Sequence, residues 1–418
     1  MSWKQFRWGH PPDHSSARRR HSCRTPVLAS LALIAAVGVC TGRDFALTSA
    51  EPPAGLLYTN VRVHDVPWSI HLVRVDRSNA LYEIRSVHAG GSALGLDTLS
   101  DQLSLFNGGQ ATPMAALNGD FYQRDRAYAG APRGLQVVDG ELLSAPSGSV
   151  SFWIDALGQA HTTNIDSQFQ VIWPDATITP FGLNGERRSD SVEIYTPAAG
   201  ASTRTRGGRE LILGRDQTNR WLPLRLGLTY SARVLEIRDT GNTRLSPDQM
   251  VLSVGQNAVR RLPEVRPGDA LRLSTATLPA LHGVRAAIGG GPVLVHNGKR
   301  QKPPSRAFES GTYEYASMFE RHPRAAIGWN DHYFFMVVVD GRQRLSIGMT
   351  LEELSEFLIS LGCDEAMNFD GGGSATLWFE GEVRNNPCER AEREIANCLV
   401  VVAKPASGSK TARAANQN

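Results

Sequence analysis

Residues 333–374 read YFFMVVVDGRQRLSIGMTLEELSEFLISLGCDEAMNFDGGGS. The first seven are continuously apolar and β-prone, as in a strand buried on both faces, and they run into Asp340-Gly341. Thr350, with Glu353 three positions on, forms a capping box. Leu351, Leu354, Leu358 and Leu361 recur at helical spacing, and Gly362 falls where a helix ends. A short strand, EAMNFD, then delivers Asp370 to three glycines. Strand, helix and strand in this order predict a right-handed crossover between parallel strands, with Asp340 and Asp370 at carboxyl ends on one edge of the sheet. Ligands of open α/β sheets bind at that edge.

Upstream, the chain is dominated by strand patterns. NVRVHD, SIHLVRVD and LYEIRSV alternate apolar and polar residues between positions 58 and 88, as half-buried strands of a meander do. TLSDQLSLF (98–106) has helical spacing and ends in Asn107-Gly108-Gly109, a C-cap sequence. Asp139-Gly140 and Leu157-Gly158 mark two hairpin tips. SVEIYTP, RELIL, ARVLEIRD and MVLSVG continue as strands separated by Gly, Pro and Asp up to about residue 277. The expected class is α+β: strand-rich mixed sheets, with a C-terminal β-α-β unit carrying the glycine-rich loop.

The 418 residues are 41% hydrophobic and 20% charged, the composition of a globular protein with a sizeable core. A formal net charge of +3, with the surplus at the two ends of the chain, argues against a nucleic-acid partner. At the front, RRRHSCR precedes an apolar stretch (27–40) too short for a comfortable membrane span, so residues 1–50 read as an export signal. Cleaved export ranks first, an uncleaved anchor, the one contact expected with a membrane, second, and lipidation at Cys40 third. The small-residue, basic tail at 404–418 reads as disordered. Beyond the leader stand Cys363, Cys388 and Cys398, an odd number, so at most one disulfide forms; Cys388 with Cys398 is one candidate pair. No CxxC or HExxH spacing supports a zinc site.

Glycines admit close approach, and successive N–H groups can make an anion-binding concavity. A P-loop requires GK[ST] followed by a helix, whereas Ser374 is followed by ATLWFEGEV, a strand and a turn. The alternative is a tight turn, for which one glycine suffices. NGDFY places Asn118 and Asp120 at the end of an apolar strand, IGGGPVLVHNGK carries a second triple glycine (Gly289, Gly290, Gly291), and HPRAAIG places Arg324 before a small apolar strand. Singly, these read as turn formers, a bulge and a surface charge. Together they point to a site for a phosphodiester, the natural partner of an Arg fork. His282, His296, His322 and His332 are scattered and read as surface or loop residues.

Taken in order, NGDFY, IGGGPVLVHNGK, RHPRAAIGW, the 333–379 stretch and EREIANCLVV resemble the phosphodiester glycosidase family over residues 58–402, within an expected domain at 57–403. Members of that family remove a sugar from a phosphodiester, and many bacterial ones are tied to exopolysaccharide or cell-wall polymers. The resemblance implies hydrolysis of a glycosyl-1-phosphodiester at the sugar C1–O bond, with a sugar-phosphate or glycan substrate; no cofactor is expected. The positions that match the family are Asn118, Asp120, Gly289 to Gly291, Arg324, Asp340, Gly341, Asn368, Asp370, Gly371, Gly372, Gly373, Ser374, Thr376, Arg393 and Asn397. Two positions depart from it: Ala325 stands where the family usually has Thr, and Glu394 where it usually has Pro.

Glycosidic cleavage ordinarily needs two carboxylates, but a phosphate monoester, with its last ionisation near ~6, leaves with little help from an acid. The expected machinery is therefore Arg324 and the N–H groups of residues 371–374 on the departing phosphate, with a carboxylate near C1. Asp370 is the first choice for that carboxylate, ahead of Asp120 and Asp340. Those three could also gather a hard cation such as calcium, although no loop spacing demands one. Two rivals are a metal-dependent phosphodiesterase cleaving P–O and a glycan-binding protein of polymer assembly without turnover, the latter kept open by Ala325 and Glu394.

Overall fold

The computed structural model describes residues 55–124, 127–217, 220–302 and 315–405. Residues 1–54, 303–314 and 406–418, which include the leader and most of the expected C-terminal tail, lie outside the described residues. Among those described, no helix is long and apolar enough to cross a membrane.

Four sheets carry the fold. The first has seven strands, in the order Leu56–Val63, Trp68–Asp76, Tyr333–Val339, Arg324–Trp329, Glu365–Asn368, Val293–His296 and Lys299–Arg300. A five-stranded sheet built on Thr112–Asn118 and Asn397–Ala403 packs against it. A second five-stranded sheet, centred on Ala286–Gly289, contributes Phe152 and Ile288 to the same core, and an eight-stranded sheet holds a separate large cluster.

The seven-stranded sheet is antiparallel at every pairing. This corrects the expected parallel pairing. Tyr333–Val339 and Glu365–Asn368 do run in the same direction, but each pairs antiparallel with Arg324–Trp329, which lies between them. The local pattern could not reveal that an earlier segment, 324–329, would occupy the slot between the two strands flanking the helix. Their carboxyl ends still share one edge, and Arg324, opposite Val339, sits on that edge too.

Period-two alternation sorts the side chains into layers. Met336 and Val338 face the core between the sheets, while Val337 and Val339 face the helix Leu351–Ser360. That helix has the predicted capping box, with Thr350 accepting from the Glu353 N–H, and buries Leu351, Leu354, Phe357 and Leu358 on the sheet. On the far side of the five-stranded sheet, the helix Leu99–Ser104 covers Ala116, Cys398 and Val400. It ends earlier than the Gly108-Gly109 pair suggested, with Leu105 as its cap. Cys363, Cys388 and Cys398 are free thiols, and the proposed Cys388–Cys398 bridge does not form. The strand Asn397–Ala403 carries Cys398 into the packed layer under that helix.

Candidate active site

A pocket of about 580 Å³ opens at the edge where these strands end, lined among others by Phe121, His322, Arg324, Arg342, Asp370, Gly371 to Gly373 and Arg393. Its floor is the turn after Glu365–Asn368, and the neighbouring chain fixes that turn. Asp370 N–H donates to Gly119 O (3.0 Å), Asn118 Nδ2 to Asp370 O (2.6 Å) and Gly372 N–H to Pro323 O (3.0 Å). Asn118 Oδ1 accepts from Thr376 N–H (3.1 Å), so this one amide clamps both sides of the glycine turn.

Asp370 is half-buried at the bottom of the pocket. Burial raises its pKa to about 6, against the pull of the Ser374 hydroxyl, the Arg393 guanidinium and the Gly371 N–H. Asp120 stands behind it, buried, with an oxygen accepting from Gly134 N–H at 2.6 Å. Burial carries its pKa to about 7, and the Asp370 charge adds to the rise. Asn397 Oδ1 takes the Asp120 N–H (2.8 Å), and Asn397 Nδ2 donates to the buried Gln136 (2.5 Å). Asn118 and Asn397 thus hold in place two carboxyl groups whose pKa burial raises toward neutral.

Asp340 does not come to this pocket. It continues the face of Met336 and Val338, so its carboxylate turns inward between the sheets, where it meets His71 Nε2 (3.0 Å) and accepts from Asn386 N–H (2.9 Å). No group of three or more His, Cys, Asp or Glu side chains that could hold a metal ion gathers among the described residues.

Arg324 lines the pocket but is 2% exposed, and its guanidinium donates to the carbonyls of Met349 (2.8 Å), Ser317 (2.6 Å) and Glu320 (2.8 Å). It shares the face of Ala326, which points to the helix side, and this explains those partners. Its neighbour Ala325 faces the intersheet core, so the hydroxyl missing relative to the family pattern lies away from the pocket. Glu394 is exposed and does not line the pocket; its carbonyl accepts from Tyr122 Oη (2.6 Å).

The cations that do face the pocket are Arg393, paired with Glu389 and reaching Ser374 Oγ (3.5 Å), and Arg342, whose Nη2 donates to His322 Nδ1 (3.3 Å). Burial and the nearby Arg324 and Arg342 charges lower the His322 pKa, and its Nε2 meets Glu320 (3.1 Å). Sequence reasoning missed Arg342 and placed His322 among surface residues. The only available signal was an arginine directly after Asp340-Gly341, and its φ of 58° shows the sharp turn that aims it at the glycines.

The glycine turn is less of an open cradle than its composition suggested. Ser374 N–H closes on Gly371 O (3.1 Å) and Gly372 N–H on Pro323 O, so two of the expected donors are engaged inside the protein. The second triple glycine does not reach the pocket at all. A side chain on Gly289 would collide with the Asp120 carboxylate, and one on Gly290 would meet Phe369 and Asn368. Gly291 N–H donates to Asn368 O (2.7 Å), Asn368 Nδ2 returns to Gly291 O (3.0 Å), and both Asn368 and Thr376 are buried. These residues pack the floor from below.

Residues 232–402 match the family described as phosphodiester glycosidase, the family that the motifs resemble, and this range includes Arg324, Asp370 and Arg393. Among curated proteins, the SPbeta prophage-derived uncharacterized protein YomE of Bacillus subtilis is 35% identical over 88 residues, 21% of this chain and 14% of that protein. A hypothetical protein from Synechocystis shares the fold with a TM-score of 0.66 at 18% identity, over 84% of this chain and 62% of that one. An exported protein, so described as putative, from Burkholderia pseudomallei K96243 gives a TM-score of 0.61 at 20% identity, over 80% and 74%. The chain therefore spans less than two thirds of the B. subtilis and Synechocystis proteins.

Proposed function

We propose that the chain hydrolyses the glycosidic C1–O bond of a sugar-1-phosphodiester, releasing a free sugar and a phosphomonoester. The observation that carries this reading is Asp370: a half-buried carboxylate with its pKa raised to about 6, at the floor of a pocket whose facing side chains are mainly cationic. The family match over residues 232–402 supports it. In this reading the ionised Asp370 takes a proton from the attacking water as that water's oxygen bonds to C1. The C1–O bond electrons leave with the phosphate, whose low basicity makes strong acid assistance unnecessary.

Arg393 and Arg342 face the leaving phosphate, and Arg324 braces the wall behind them through the carbonyls it holds. A charge-assisted donor of this kind contributes most where water is partly excluded, as it is beside the half-buried glycine turn. Asp120, held in the second layer, supports the field at Asp370 rather than touching substrate. The basic-plus-apolar leader supports action outside the cytoplasm, on a glycan or cell-wall polymer. Hydrolysis in oxygen-labelled water tests the bond: label in the released sugar is expected, and label in the phosphate would overturn C1–O cleavage in favour of P–O cleavage. Tight binding of a sugar phosphodiester with no product would favour the non-catalytic alternative.

A further inference from the structure

A second cavity lies away from the pocket of Asp370. It is an open groove of about 630 Å³ at the opposite end of the same sheet, reached by Val75 to Arg77 at the end of Trp68–Asp76 and by Phe334 near the start of Tyr333–Val339. Asp340, just past that strand at the edge carrying the pocket, lies six residues from Phe334. At the rise of an extended strand the separation is roughly 20 Å.

The groove is electropositive. Six cationic side chains line it against three carboxylates. Of those three, Asp76 already accepts from Ser78 through both N–H (2.8 Å) and Oγ (2.7 Å). Glu83 alone meets Arg85 (2.8 Å), Arg285 (3.3 Å) and Lys404 (4.0 Å), so one carboxylate faces three cations. Arg225 comes from a separate loop, and the Asp139-Gly140 turn is tied to the Arg285 backbone through Gly140 N–H (2.8 Å). Cations from five separate chain segments thus converge on one concave surface, which concentrates positive potential and favours an anion larger than a single phosphate.

We infer that this groove is a binding site for an anionic, phosphodiester-linked glycan polymer, distinct from the pocket of Asp370. Part of this rests on the proposed function, which makes the substrate a sugar phosphodiester. A single such unit cannot touch two sites roughly 20 Å apart along a strand, whereas a polymer can occupy both, and the second contact raises its effective concentration at the first.

The test uses Asp370→Asn, so that nothing is consumed, and isothermal calorimetry with four probes: an oligomer of hexose units joined by 1-phosphodiester bonds, neutral dextran, sulfated dextran and inorganic phosphate. The oligomer is expected to bind at least ~10-fold more tightly than inorganic phosphate and sulfated dextran, to weaken as salt rises, and to leave neutral dextran unbound. Adding Arg225→Glu and Arg285→Glu is expected to cost at least ~10-fold in oligomer affinity. The milder pair Arg225→Gln and Arg285→Gln, with thermal midpoints compared, guards against loss of fold. In an Asp370 background, the same pairs should leave turnover of a single-unit sugar phosphodiester unchanged. Unchanged oligomer affinity in folded double variants, or equal binding of inorganic phosphate or sulfated dextran, would overturn the site. Absence of turnover with intact oligomer binding would instead overturn the catalytic reading alone.

Discussion

The two triple glycines of this chain each sit beside an aspartate, and their fates differ. Gly289 to Gly291 lie in the packed interior, where Gly289 touches Asp120 and Gly290 touches Phe369. Gly371 to Gly373 turn beneath Asp370 at the pocket floor, and there the nearest neighbours of Gly373 are the side chains of Arg393 and Glu389. The same three letters thus serve close packing in one place and access in the other. Composition shows that backbone must come close to something; the partner is decided by the layer in which the strand ends.

The largest effect expected from this contrast is at the open aspartate. Asp370→Asn should lower turnover at least ~100- to 1000-fold at unchanged thermal midpoint, and near-normal turnover would sink its assignment. Next come the cations over the open glycines: Arg393→Ala and Arg342→Ala should each weaken steady-state kcat/KM by ~10- to 100-fold, the range of a lost hydrogen bond to a charged group. Arg324→Ala, by contrast, should show most of its effect as a lowered midpoint, since three carbonyls lose their donor. An Arg324→Ala enzyme with a normal midpoint and abolished turnover would restore Arg324 as the direct phosphate ligand.

For the glycines themselves, Gly290→Ala should destabilise the fold by about 1–3 kcal/mol, because Phe369 and a backbone carbonyl must give way. Gly373→Ala meets only the ends of flexible side chains and should keep the midpoint while raising KM. Chemical denaturation and kinetics on the two variants separate these outcomes, and equal midpoint losses would erase the distinction between the runs.

The smallest effect is in pH dependence. Asp120 holds its proton in the folded state up to about 7, above the ordinary carboxylate range, so the folded protein binds more protons than the unfolded chain between roughly pH 4 and 7. Its contribution therefore favours folding below that window and is lost as pH rises through it. Midpoints should fall from pH 5 to pH 8, and less so in Asp120→Asn. Activity should rise through about pH 6 as Asp370 ionises. An activity profile flat between pH 5 and 7 would contradict its role as a base.

Much of this was legible locally. The capping box and leucine spacing predicted the helix Leu351–Ser360, a continuous apolar run predicted the strand before it, and the Asp139-Gly140 turn fell where a hairpin was expected. Those signals are short-range, each set by the conformational preferences of a few neighbouring residues. The motif residues Asn118, Asp120, Asp370, Ser374, Arg393 and Asn397 do converge, because the ends of Thr112–Asn118 and Glu365–Asn368 and the start of Asn397–Ala403, from two sheets, come together. Asp340 was read as a site residue from its strand end and Arg324 from its affinity for a phosphodiester; a one-residue difference in strand parity sends them to opposite faces. Arg342 and His322 gave no periodic signal, since single side chains on turns acquire a role only from what the fold sets opposite them.

By itself, then, the sequence determined the elements, the family pattern and the list of groups able to do the chemistry, since these depend on local spacing and residue type. Tertiary structure alone decided that the strand Arg324–Trp329 divides two strands expected to pair. It also decided that one glycine run is buried and the other half-buried at the pocket floor, and that Arg342 and Arg393 rather than Arg324 face the pocket. Each of those outcomes depends on contacts between segments far apart in the chain, which no local pattern encodes.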